Sequence, residues 1–132
     1  MNTLKGTINS LTISGNLTLI GIKVGHINMS AIVIDTPKTA PYLTVENSIS
    51  VIFKETEVIL AKGNTDLISM RNKIKGVIEK IISEELLSKI IIKSSVGNIT
   101  SIITTNAVKQ LELKIGDEVT AMIKTNEIML SE

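Results

Sequence analysis

The chain contains no cysteine and no tryptophan, and it has a single histidine, His26. Without cysteine there are no disulfides, thiolate metal sites or thiol nucleophiles, which fits a reducing compartment. One histidine leaves most zinc and triad chemistry without its ligands. Aromatic residues make up 2% of the chain, Tyr42 and Phe53 alone, so no platform exists for stacking nucleobases. Lys plus Arg number 14 against 13 Asp plus Glu, a net charge of +1, which gives no field for nucleic acid or an anionic membrane. No apolar run approaches the ~20 residues that span a bilayer, and the first residues lack a charged segment followed by an apolar one. Neither G-x-x-x-x-G-K-[ST], G-x-G-x-x-G nor H-E-x-x-H occurs. The expectation is a soluble, cytoplasmic protein that binds neither nucleic acid nor membrane.

What the chain does have is 43% hydrophobic residues in 132, with isoleucine the commonest at 24. Together with Val and Thr this is a β-branched bias that favours pleated surfaces. Apolar and polar positions alternate through Leu17 to Val24, Ser48 to Phe53 and Asp117 to Lys124. A gapless shift of 70 residues pairs Asn2 with Asn72, Lys5 with Lys75, Gly6 with Gly76, Lys23 with Lys93, Asn28 with Asn98, Lys54 with Lys124 and Glu57 with Glu127. Matches of Gly, Asn, Lys and Glu in one register are not a composition effect, so the chain holds two copies of one unit.

The expected boundaries are 1–62 for the first unit, 63–67 for the linker and 68–132 for the second. In the second unit the pattern predicts strands near Lys73 to Ser83, Leu86 to Lys93, Asn98 to Thr104, Glu118 to Ile123 and Glu127 to Leu130. One or two helical turns over Thr105 to Leu111 follow from apolar spacing after a Thr or Asn cap. Pro37 and Pro41 disfavour a regular helix at the matching place in the first unit. Ile115-Gly116-Asp117 reads as a tight turn into a strand. Five strands with a short helical turn before the last two give an all-β fold of two tandem OB-type Greek-key barrels. Units this small rarely supply more than about 3–5 kcal/mol alone, so they lean on each other or on further copies.

Arg71 is the sole arginine beside thirteen lysines. A guanidinium suits a planar, multidentate task that an ammonium performs poorly. Ser69 and Asn72 flank it as donors. Further donors cluster at Lys124-Thr125-Asn126 and at Thr104-Thr105-Asn106, where the helical turn begins. Cation, hydroxyl and backbone N–H groups are the parts of an oxyanion site, although each taken alone reads as a solvated strand end. His26, beside Gly25, reads as a turn or edge residue, and the five methionines as core or interface filler.

Ser69-Met70-Arg71-Asn72 with Ile74-Lys75-Gly76, then Lys114-Ile115-Gly116-Asp117-Glu118-Val119 and Ala121-Met122-Ile123-Lys124-Thr125-Asn126-Glu127, resemble the Mop family of small molybdate-binding domains. That family opens with S-A-R-N-x-L-x-G and closes with K-P-G-D-E-V and A-L-I-K-A-T-E-V. The second unit matches throughout and the first more weakly, an arrangement similar to the tandem di-Mop molbindins. The resemblance implies a homotrimer of two-domain chains that binds molybdate or tungstate at interfaces between domains. It places Ser69 and Arg71 on one side of the anion and Thr104, Lys124 and Thr125 on the other, with the Asn72 amide as a further donor beside Arg71 and Lys54 as the surviving cation of the first unit. Ala107 stands where the family has a serine. In the first unit Met1, Ile34 and Pro37 replace the arginine, threonine and serine, so its set of ligands is incomplete.

The function this implies is storage and homeostasis of an oxyanion by a protein that is not an enzyme. The alternative is a molybdate-sensing module working with a separate regulator or transporter chain.

Overall fold

In the computed structural model, which describes residues 1–132, the alternating segments form ten strands. The first four are β1 (Asn2–Ser14), β2 (Leu17–Val24), β3 (Ile27–Val33) and β4 (Ser48–Phe53), followed by the short β5 (Ile59–Ala61). Then come β6 (Asn72–Ser83), β7 (Leu87–Ser94), β8 (Gly97–Thr104), a helix α1 (Thr105–Gln110), β9 (Glu118–Ile123) and β10 (Met129–Ser131). Period-two burial is plain in β2, where Thr18, Ile20, Ile22 and Val24 point inward while Leu19 and Lys23 face out.

Each unit has one very long first strand, and in each that strand carries a bulge, between Ile8 and Ser10 in β1 and between Ile78 and Lys80 in β6. An extra residue increases the local twist and lets a single strand bend around a small barrel. Gly6 and Gly76 sit just before these bulges, against β2 and β7. A Cβ on Gly76 would lie 2.5 Å from Ile92 Cγ2 and 2.7 Å from the Lys93 carbonyl oxygen, so no side chain fits there.

The expected helical turns form in the second unit, where Thr104 caps α1 by accepting a hydrogen bond from the Ala107 N–H at 3.1 Å. The matching stretch of the first unit, with Pro37 and Pro41, is a chain of turns. Both units share a one-turn 3-10 segment, Glu55–Glu57 and Thr125–Glu127.

The closing strands correct the sequence reading. The last strand was expected to span Glu127 to Leu130 and to complete its own unit. Residues 125–127 are instead the 3-10 turn, and β10 pairs with β4 of the first unit, with Met129 opposite Ile52 and Leu130 opposite Val51. In return β5 pairs with β9, with Ile59 opposite Met122 and Leu60 opposite Ala121. The two sheets therefore run β10-β4-β1-β2-β3 and β5-β9-β6-β7-β8. Each barrel thus takes its fifth strand from the half of the chain that the sequence reading gave to the other unit.

The exchange fuses the interior. Val58, Leu60 and Ile128 are buried in one continuous apolar core that includes Ile20, Ile22, Val51 and Phe53 of the first barrel and Ile74, Ile90, Ile92 and Ile123 of the second. The Ser101 hydroxyl donates to the Val58 carbonyl at 2.8 Å. His26 lies in the β2–β3 turn, exposed, with Nε2 3.4 Å from the Ser95 hydroxyl in the equivalent turn of the other barrel.

Candidate oxyanion site

The sequence candidates lie at the ends of strands, and the register decides which of them meet. The ladder between β6 and β9 begins with Asn72 opposite Ile123. Arg71 and Lys124 are the residues immediately outside this last pair, each at the end of its strand. Both side chains are exposed. Ser69 precedes them in the exposed turn leading to β6, and Thr125, half-buried, follows Lys124 as the first residue of its 3-10 turn. That turn is closed by the Glu127 N–H donating to the Lys124 carbonyl at 3.0 Å.

Two cations at adjoining strand ends normally recruit an acid, because like charges repel. Here they do not. The chain has two ion pairs, from the Met1 ammonium to Glu55 and from Lys62 to Asp117, each at 3.3 Å. Neither involves Arg71 or Lys124. An uncompensated double charge with hydroxyls beside it is what a dianion requires.

Asn72 corrects the sequence reading. It was expected to donate to the anion, but its side chain is fully buried and already committed. Its Oδ1 accepts from the Ser30 N–H at 2.7 Å, and its Nδ2 donates to the carbonyls of Ser30 at 2.9 Å and Ile123 at 3.0 Å. Asn2 does the same across the other junction, accepting from the Thr100 N–H and donating to the Thr100 carbonyl, both at 2.8 Å. The two asparagines tie each barrel to an edge strand of its neighbour, β3 or β8. The sequence held a signal for this role. Asn2 is kept in the unit that has lost its arginine and threonine, as a structural residue would be.

Thr104 stands apart from the Arg71 cluster within one chain. It ends β8, and β8 packs against the Glu55–Glu57 turn, whereas the Thr125–Glu127 turn packs against β3. The β3 side offers Ile34 at the place equivalent to Thr104, and Ile34 is 75% exposed. Lys54, likewise exposed, opens the Glu55–Glu57 turn on the β8 side. Two surface grooves of about 700 and 880 Å³ lie on the outer sheet faces, around Lys5 and Lys23 and around Lys75 and Lys93; neither includes Arg71 or Lys124. No cluster of three metal-ligating side chains exists, and no helix is long and apolar enough to cross a membrane.

Residues 68–130 match the TOBE domain model. Molybdenum-pterin-binding protein 1 of Clostridium pasteurianum is 36% identical over 64 residues, which are 48% of this chain and 94% of that protein. The chain belongs to the Mop family. A second member from the same organism, molybdenum-pterin-binding protein 2, is 34% identical over a stretch of the same length. This Mop-family chain also superimposes along nearly its whole length on a solved structure, the cytoplasmic molybdate-binding protein ModG with molybdate bound. The TM-score is 0.91 at 25% identity, covering 98% of this chain and 94% of that one. The fold of two OB-type barrels is thus that of a tandem Mop protein.

Proposed function

We propose that the protein binds molybdate or tungstate in the cytoplasm as a store, without transforming it, and that Arg71, Lys124, Ser69 and Thr125 form the cationic half of the site. The observation that carries this reading is that two cations without an acid partner, Arg71 and Lys124, flank the end of the β6–β9 ladder. Molybdate is a tetrahedral dianion without protons at pH 7, so it asks for charge and donors and offers only acceptors.

The other half comes from another chain. In its own chain the cluster faces the β3 side, where Ile34 supplies no donor, while Thr104 faces the opposite junction. A homotrimer that brings Thr104 of one chain to Arg71 of the next completes the donor set, and sharing the anion links binding to assembly. The names of the relatives include a pterin. Phe53 is fully buried and Tyr42 half-buried, so no exposed ring is left to stack on one, and the bare oxyanion is the better fit.

Isothermal titration of anion-free protein with molybdate, in a buffer without sulfate or phosphate, tests the reading. Saturable binding is expected. Arg71→Ala is expected to weaken it about 10- to 100-fold, the worth of one charged hydrogen-bonding group. Absence of heat with both molybdate and tungstate, or an unchanged isotherm for the variant, overturns it.

A further inference from the structure

The two barrel ends are built alike up to one residue. Lys54 and Lys124 both open a 3-10 turn from the same extended conformation, φ −72°, ψ 144° and φ −68°, ψ 146°. Each turn is closed by a glutamate N–H, of Glu57 or Glu127, donating to that lysine's carbonyl at 3.0 Å. The residue after the lysine is Thr125 in the second unit and Glu55 in the first. Where one end presents a hydroxyl, the other presents a carboxylate. The half-buried Glu55 places its Oε1 3.3 Å from the ammonium of Met1, the residue at the position equivalent to Arg71.

We propose that Glu55 is a built-in counter-anion that closes the first unit's end to tetrahedral dianions, so that each chain offers one oxyanion site rather than two. This rests on the oxyanion reading of Arg71 and Lys124. The physical content is a substitution of sign. A carboxylate only accepts hydrogen bonds, so it removes the donor that Thr125 supplies and adds a negative charge beside the incoming one. It also pairs with the Met1 ammonium, one of the two cations at this end. One of the two cations of the first end is thereby paired in the empty protein, whereas neither Arg71 nor Lys124 has an acid partner.

The test is titration with molybdate of the wild type, Glu55→Gln, Arg71→Ala and the double variant, with folding checked by circular dichroism and Glu55→Thr as a second replacement. The wild type is expected to take up one anion per chain. Glu55→Gln and Glu55→Thr are expected to add a second saturable event, and in the Arg71→Ala background to tighten binding by about 10-fold or more. Two equivalent sites in the wild type, or Glu55 variants silent in both backgrounds, overturn the proposal and leave the oxyanion reading standing. A wild type that binds no molybdate overturns both.

Discussion

Replacing Asn72 by alanine separates its two readings, clamp and ligand. The side chain is fully buried, and its loss strands three backbone groups: the Ser30 N–H and the carbonyls of Ser30 and Ile123. A buried polar group left unpaired costs about 1–3 kcal/mol, the N–H in full and the two-lone-pair carbonyls in part, so the sum is about 3 kcal/mol. That is a large share of the roughly 5–15 kcal/mol by which a domain is stable. With a urea m-value of about 2 kcal/mol/M, the unfolding midpoint should fall by about 1.5 M. The comparison is made at fixed protein concentration, since assembly adds stability. Asn2→Ala strands only the two groups of Thr100 and is expected to cost less, about 2 kcal/mol. A shift below about 0.3 M for Asn72→Ala, or a larger one for Asn2→Ala, refutes the clamp. Unchanged stability with lost molybdate binding would return Asn72 to the ligand set.

Gly76→Ala forces a methyl group against the Ile92 side chain and the Lys93 backbone, and is expected to cost about 1–3 kcal/mol by thermal melting; a melt like the wild type would show that β7 yields. Asp117 is held below the ordinary carboxylate range, first by the Lys114 N–H donating to Oδ2 at 2.9 Å and then by Lys62. Because the folded pKa is the lower one, its contribution is complete above the unfolded value and is lost as pH falls through the folded one. Asp117→Asn should therefore flatten the acid limb of urea midpoint against pH, and an identical slope would contradict this. Ending the chain at Glu127 removes β10, and hydrogen exchange should then show β4 of the first barrel losing protection before β9 of the second. The reverse order would mean that β10 supports its own half.

Much of this fold is legible in the sequence because it is written twice. The shift of 70 residues fixes the strand ladder, and Pro37 and Pro41 mark where the helix of the second unit has no counterpart. The strand exchange is not legible, for the same reason. Leu60 and Leu130 occupy equivalent places in β5 and β10, so each strand is as good a partner for β4 as for β9 on local pattern alone. Chain geometry, not side-chain preference, chooses between them. The candidate site is legible in part. A lone arginine draws attention to the strand end that also holds Lys124 and Thr125, but Asn72 reads as a donor until its partners across the junction are known. Glu55 goes unnoticed unless the units are laid over each other and Thr125 is asked for its counterpart.

The borrowed strands also set a timetable for synthesis. The first barrel has four of its strands by Phe53 but receives its fifth from residues 129–131. During translation its β4 edge stays open until residues 129–131 have left the ribosome, an unpaired strand of the kind that recruits neighbours. On a polysome the nearest supply of a matching strand is the β10 or β5 of an adjacent nascent chain. Accurate assembly of this protein thus depends on the chain's own strand arriving sooner than a neighbour's, which makes the length of the segment between β5 and β6, residues 62–71, a kinetic quantity as much as a structural one.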